Sequence, residues 1–288
     1  MKDNRISPQE IQGTGKDGRI TREDVQAHVS SQHHSSPVSR TRDPSEFEAC
    51  VPLTAIQSKM FQTMTRSLSI PHFSYADEID VTDLSTLRQR LNANAPSEYK
   101  LSFLPFLVKA LSLALHDFPL LNARIEMPRT DKDPPKLVHR KTHNIGIAMD
   151  SPAGLVIPVV KDVGSLSISN IAAEIRRLRP LAQANKLTID DISGGTITVS
   201  NIGSIGGTYV SPIIASVEQV AILGLGKVRR IPAFTRDAAG TEKVEARDVC
   251  NLSWSADHRV VDGATVARCG ERVKGYMEVV GTMIAALR

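Results

Sequence analysis

Apolar side chains recur at three- and four-residue intervals through Met60, Phe61, Met64 and Leu68, and again through Leu84, Leu87 and Leu91. That interval puts each set on one face of an α-helix. Thr54 ahead of the first run can cap it, and Thr82-Asp83 starts the second. Ile70-Pro71-His72 ends the first helix. Residues 73–81 alternate instead, the period of a half-buried strand. Residues 103–115 are strongly apolar and predict a buried helix. Residues 144–150 and 155–160 read as two strands around a Ser151-Pro-Ala-Gly turn, and 168–178 as a helix. Residues 195–200, 220–223 and 249–253 read as short strands. A last helix runs from about Ala264 to Tyr276, with another turn or two near the C-terminus. Strands and helices mix without strict βαβ alternation, so the expected fold class is α+β, a mixed α/β sandwich.

The first 29 residues lack this patterning. Gly13-Thr-Gly15-Lys-Asp-Gly18 reads as a glycine-rich loop leading to a helix that begins near Thr21. The spacing formally matches a dinucleotide-binding fingerprint, but no hydrophobic strand precedes it and no βαβ unit surrounds it. Residues 30–48, rich in Ser and Pro with a His33-His34 pair, have the composition of a flexible linker. A compact domain is expected over 49–288.

Composition acts mainly by exclusion. Hydrophobic residues make up 41% and charged residues 23% of the 288, an ordinary soluble balance. A net charge of +4 is too small and too dispersed to argue for nucleic acid, although it suits an anionic small ligand. No apolar run approaches the ~18 residues of a membrane span. The N-terminus carries no targeting pattern. Cys50, Cys250 and Cys269 are odd in number and far apart, which fits buried thiols in a reducing compartment better than a disulfide frame or a zinc site. No metal is expected.

The chemistry concentrates in residues 253–263, Ser-Trp-Ser-Ala-Asp257-His258-Arg259-Val-Val-Asp262-Gly263. Only histidine has an unperturbed pKa near neutrality, which makes His258 the candidate for moving a proton. Arg259 could fix a carboxylate through a bidentate pair, and Asp262 is expected to order the site through an ion pair. Gly263 would let the chain turn tightly.

With these residues in hand, the chain resembles the dihydrolipoamide acyltransferases of 2-oxo-acid dehydrogenase complexes, within the chloramphenicol-acetyltransferase-like acyltransferases. The resemblance rests on the His-x-x-x-Asp-Gly pattern at 258–263, with Ile70-Pro-His-Phe73, Asn144-Ile-Gly-Ile-Ala, Gly154-Leu-Val-Ile-Pro158 and Ser200-Asn-Ile-Gly-Ser-Ile-Gly-Gly207 in the same order. The runs at 70–80, 200–208 and 253–258, together with Gln57, look most like the branched-chain type. Residues 13–25 are similar to the second half of a peripheral subunit-binding domain, so 1–29 is expected to be a partial one. The lipoyl domain with its lipoate has no counterpart here, which suggests a fragment or an incomplete gene product.

The resemblance implies acyl transfer between dihydrolipoamide and coenzyme A. His258 would be the general base, Ser200 the donor to a tetrahedral oxyanion, and Asp262 a supporting residue. Coenzyme A contacts would fall on Arg88, Ser102, Asp150, Ser200, Asn201 and Gly226; at Arg179 the relatives differ and no contact is carried over. Ala215-Ser-Val-Glu218-Gln219 departs from a Pro-Pro pattern, which leaves the local loop geometry open. The family also implies a homotrimer with sites between subunits, a 24-subunit core, and decarboxylase and dihydrolipoamide dehydrogenase partners. It implies a mitochondrial matrix location, or a cytoplasmic one in a bacterium. An acetyl- or succinyl-transferring homologue remains an alternative, as does a non-catalytic core subunit.

Overall fold

The structure is a computed structural model that describes residues 11–33, 49–128, 130, 132–237 and 239–287. Chain contacts divide it into two units, Met1–Pro52 and Leu53–Arg288. In the first, Thr21 and Asp24 cap helix α1 (Arg22–His33) reciprocally: Asp24 accepts from Thr21 N at 2.8 Å, and its own N–H reaches Thr21 Oγ1 at 3.4 Å. Asp24 also accepts from Thr14 Oγ1 at 2.7 Å. A Cβ on Gly13 would lie 2.5 Å from the Gly18 carbonyl, so these glycines fold a tight loop upon itself. Helix α1 continues through His33; the rest of the linker-like stretch, and the first ten residues, lie outside the described residues.

The second unit is built on an eight-stranded mixed sheet with an order of β1-β10-β8-β7-β4-β5, to which β6 adds on β4 and β9 on β10. The strands are β1 (His72–Asp80), β4 (Ile145–Ser151), β5 (Gly154–Val156), β6 (Val159–Val160), β7 (Ile197–Asn201), β8 (Ala221–Leu225), β9 (Arg229–Arg236) and β10 (Glu242–Asp257). Strand β7 runs parallel to β4 and β8; the other pairings are antiparallel. A small separate pair is formed by β2 (Ala123–Glu126) and β3 (Lys136–His139). Helices α4 (Leu104–Asp117), α5 (Ile168–Gln183) and α7 (Gly263–Glu278) pack together and against the sheet, with α4 between the other two.

Helix α4 is buried along its whole length from Leu104 to Leu115, as an apolar run predicts. Its one lysine, Lys109, is buried too, and donates to the carbonyls of Val163, Gly164 and Leu166 at 3.3, 3.0 and 2.7 Å. Helix α2 (Ala55–Ser67) has the predicted Thr54 cap, completed by Gln57, whose Oε1 accepts from Thr54 N at 2.9 Å. Its apolar face is another matter. Phe61 is 65% and Leu68 84% exposed, so the apolar face read from the sequence is uncovered in this chain. Helix α3 (Thr82–Ala93), the short α6 (Ile189–Ile192) and α8 (Val280–Ala285) are the other α-helices among the described residues of this unit.

Three departures have local causes. The predicted strand at 155–160 is broken into β5 and β6, with Pro158 between them, since proline cannot continue a ladder. The predicted strand at 249–253 is the inner part of a sixteen-residue strand, β10, whose outer half pairs with β9 as a ribbon. The helix predicted to end at Leu178 runs on through Pro180 to Gln183.

Candidate active site

Strand β10 delivers residues 257–263 to one end of the sheet. Asp257 donates its N–H to Val220 O at 2.8 Å, and its carbonyl accepts from Val260 and Val261 at 3.1 and 2.9 Å, closing a turn around His258. His258 donates its own N–H to Pro71 O at 2.9 Å. Its ring nitrogen Nδ1 lies 3.0 Å from Val261 O. A carbonyl can only accept, so Nδ1 carries the proton and Nε2 the lone pair. Phe73 lies against the imidazole, with centroids 5.1 Å apart at 45°. The ring is therefore oriented from two sides and exposed on the others.

The neighbours divide their tasks differently from the expectation. The ion pair belongs to Asp257, not Asp262. Arg259 Nε and Nη2 reach the two Asp257 oxygens at 2.9 and 2.6 Å, and Asp257 is almost fully buried. This bond holds the guanidinium above its ordinary pKa. Asp262 is exposed and is the N-cap of α7, accepting from Thr265 N and Oγ1 at 2.8 and 2.9 Å. Those bonds, the backbone one first, hold its carboxyl below the usual carboxylate range. Gly263 is no tight turn; it is the first helical residue, and a Cβ there would sit 2.6 Å from the Phe73 ring. A side chain at 263 would displace the ring that leans on His258.

A cavity of about 450 Å³ lies at the opposite end of the sheet, and Ser200, Asn201, Ser102 and Asp150 all line it. Segments far apart in sequence supply them: the end of β7, the residues before α4, and the end of β4. Two residues the sequence did not assign, Arg179 and Gln183, line it from α5. Gln183 Nε2 donates to Asp150 O at 2.6 Å, tying that helix to the strand. Arg88 stacks its guanidinium 4.6 Å from the Phe103 ring, next to Ser102, and its buried Nε has no partner. Gly226 does not line the cavity. A Cβ there would be 2.2 Å from Thr208 O, so the glycine lets the loop after β7 cross closely behind. Gln219, in the segment whose geometry was open, is buried and fixed: Oε1 accepts from Thr198 Oγ1 at 2.8 Å, and Nε2 donates to Gly195 O at 3.2 Å.

The two ends do not meet in one chain. Ser200 is in register with Gly224, and Gly224 with Ser253, four residues before Asp257. At about 3.3 Å per residue this is about 13 Å along the strand, besides two inter-strand spacings of about 5 Å each. A wider depression of about 580 Å³, lined by Phe118, Arg268 and Tyr276, contains none of the sequence-predicted residues. Among the described residues no cluster of His, Cys, Asp and Glu could hold a metal. Burial pushes the Cys250 and Cys269 thiols up to about 12, which removes both as nucleophiles. No helix among the described residues is long and apolar enough to cross a membrane.

Comparison with known proteins gives the same outline. The family described as 2-oxoacid dehydrogenases acyltransferase (catalytic domain) matches residues 46–285, and the e3 binding domain matches residues 1–26. The lipoamide acyltransferase component of the branched-chain alpha-keto acid dehydrogenase complex of Caenorhabditis elegans, described as mitochondrial, is 39% identical over 99% of this chain and 65% of its own length. The chain spans between 58% and 65% of the first curated relatives it matches. Two solved structures each have a TM-score of 0.74 at 32% identity, covering 82% of this chain and 94% of theirs. One is the cubic core of a pyruvate dehydrogenase multienzyme complex. The other is the Azotobacter vinelandii dihydrolipoamide acetyltransferase, studied for the catalytic roles of a serine, a histidine and an asparagine four positions after that histidine. With a family match over 46–285 and this shared fold, the chain belongs to the 2-oxoacid dehydrogenase acyltransferases.

Proposed function

We propose that this protein transfers a branched-chain acyl group, such as 2-methylpropanoyl, between dihydrolipoamide and coenzyme A. The observation that carries the reading is His258: its Nδ1–H is engaged by Val261 O, which leaves Nε2 as a lone pair at the surface. A thiol of pKa near ~8.5 is mostly protonated at neutral pH and needs such a base. Nε2 takes the thiol proton of coenzyme A, and the sulfur attacks the thioester carbon of acyl-dihydrolipoamide. The Ser200 hydroxyl donates to the oxyanion of the tetrahedral intermediate. Collapse breaks the carbon–sulfur bond to dihydrolipoamide, whose thiolate recovers the proton from the imidazolium. Asp262 supports by starting α7 behind the base, and it follows His258 by four positions, the spacing of asparagine from histidine in the Azotobacter relative.

The cavity suits coenzyme A. Its phosphates want cations, which Arg179 supplies from the lining and Arg88, stacked on Phe103 and not itself lining the cavity, supplies beside Ser102; its hydroxyl and amine groups find acceptors in Asp150 and the Ser102, Ser200 and Asn201 side chains. Gly226 acts indirectly, by letting the loop after β7 pass close to the start of the turn that follows β8. The separation of Ser200 from His258 within one chain favours a site shared by two protomers of a trimer, and the uncovered face of α2 suits burial in such an assembly. Twenty-four subunits in a cubic core, decarboxylase and dihydrolipoamide dehydrogenase partners, and a location in the mitochondrial matrix, or in the cytoplasm of a bacterium, follow from the same reading. The lipoate would arrive on a lipoyl domain, which is not among residues 1–288.

The test offers dihydrolipoamide with 2-methylpropanoyl-, acetyl- and succinyl-coenzyme A. Faster transfer of the branched acyl group is expected; acetyl transfer at an equal or greater rate would refute the branched-chain assignment. Mixing His258→Ala and Ser200→Ala subunits before assembly should restore part of the activity each lacks alone. No restoration would sink the shared site.

A further inference from the structure

Residues 202–220 form neither helix nor strand, although they join two parallel neighbours, β7 and β8. A structureless connection of this length inside a compact domain is uncommon and usually functional. Its first half is fastened by the sheet. Gly203 N donates to Leu225 O at 3.2 Å, Lys227 N to Gly207 O at 2.9 Å, and Asn251 Nδ2 to Thr208 O at 3.2 Å. Ser204 and Ile205, in that half, line the cavity beside Ser200.

The far end is fastened by side chains. Ile214 N donates to His72 Nε2 at 3.0 Å, and Ser67 Oγ donates to Ile214 O at 2.6 Å. His72 Nδ1 lies 2.8 Å from Ile70 O, which fixes the proton on Nδ1 and makes Nε2 the acceptor that Ile214 requires. Ile70, Ile214 and Ile222 bury the joint as a small cluster apart from the main core. His72 faces Asp257 in the β1–β10 register, one residue before His258. Its two chain neighbours hold His258 directly, Pro71 through its carbonyl and Phe73 through its ring.

We propose that His72 is a positioning residue that pins the far end of the 202–214 loop to the strand segment cradling the base. This deepens the acyl-transfer reading and rests on it. In a ring of protomers each chain gives its Ser200 end to one active site and its His258 end to another. His72 is the hydrogen-bonded link that keeps those two contributions in register.

The imidazole can be dissected by chemistry. In the full chain, His72→Gln keeps an acceptor near the place of Nε2, His72→Asn keeps only a donor towards Ile70 O, and His72→Leu keeps neither. An unpaired buried N–H at Ile214 should lower kcat/KM about tenfold in the Asn and Leu variants, through a lower kcat and a higher KM for coenzyme A. The Gln variant should stay within about threefold of the parent. Asn performing as well as Gln, or Leu matching the parent, overturns the proposal. If Leu does not fold, the Gln–Asn pair still decides. Amide hydrogen exchange over 209–214 reads the pin without catalysis: protection kept in Gln and lost in Asn supports it, and equal protection in both overturns it. A parent chain that transfers no acyl group at all would instead sink the reading beneath it.

Discussion

The two ends of the central sheet are built in opposite ways. At the His258 end, residues 70–73 and 257–263 make nearly every contact that orients the base: one carbonyl for its Nδ1, one for its backbone, one ring for its face. At the Ser200 end, residues from β4, β7, α5 and the approach to α4 converge on a cavity, and few of them bond to one another. A group that moves a proton needs one fixed orientation, which a short segment can supply by its own turns. A group that receives a large, flexible anion needs surface from many directions. The first end is a local device; the second is a product of the whole fold.

The sharpest way to break this comparison is to remove each end's reacting group. His258→Ala should lower kcat by about 10²–10⁴ and leave the KM for coenzyme A nearly unchanged, because the base touches the proton and not the cavity. Steady-state kinetics of the assembled protein measures it, and a kcat near the parent's rules out the base. Ser200→Ala should cost about 10²–10³ in kcat, the effect of losing one oxyanion donor. A Ser200 effect confined to KM would make the serine a binding group and leave the oxyanion without its donor.

The same contrast governs what the sequence disclosed. The local end was readable: the strand read over 249–253 ends just ahead of His258, and the His-x-x-x-Asp-Gly pattern carried the resemblance that makes it the base. Even there, which carboxylate pairs with Arg259 was not readable, because Asp257 and Asp262 are both within reach in sequence and only the turn selects one. At the other end the resemblance supplied Ser102, Asp150, Ser200 and Asn201, while pattern alone could not have joined them. Gln183 escaped for a specific reason: proline ordinarily ends a helix, yet α5 carries Pro180 for one further turn, and that turn aims Gln183 at the cavity. Arg179 was left out because the relatives differ there, and only the fold brings it to the cavity wall. The β9–β10 ribbon was missed because its strand sequence, Arg-Arg-Ile-Pro-Ala-Phe-Thr-Arg, is half-solvated and contains a proline that only an edge tolerates.

A pH experiment separates chemistry from stability. His143 is 4% exposed, its Nδ1 is 2.8 Å from Ser112 Oγ, and its ring lies 4.7 Å from that of His116. Burial, and then the nearby His116, hold its pKa down at about 4, while Asp162 opposes them. The unfolded chain binds this proton near ~6.5, so acid favours unfolding. The stability that neutral His143 contributes is fully present above pH ~6.5 and is lost as pH falls towards ~4, to a total of about 3 kcal/mol. Urea midpoints measured from pH 7 to 4.5 should fall in the parent and flatten in His143→Gln. Identical slopes would dismiss His143 as the source, and His143→Gln should leave kcat/KM at pH 7 unchanged.

The smallest expected effect is at Arg179, and it tests whether a residue outside the resemblance contributes to the cavity. Its guanidinium is exposed at the mouth, so its attraction for a phosphate is screened by water and salt. Arg179→Gln should therefore raise the KM for coenzyme A only about two- to fivefold, with kcat unchanged, and the difference should shrink as salt is raised. Desulfo-coenzyme A, which keeps the phosphates and cannot react, should lose affinity by the same factor when binding is measured directly. An effect on kcat would mean that Arg179 reaches the reacting atoms, and the separation between the two ends of the sheet would then fail where it is easiest to test. A KM that ignores both substitution and salt would leave Arg88 to carry the phosphates, which a parallel Arg88→Gln variant would register as the larger loss.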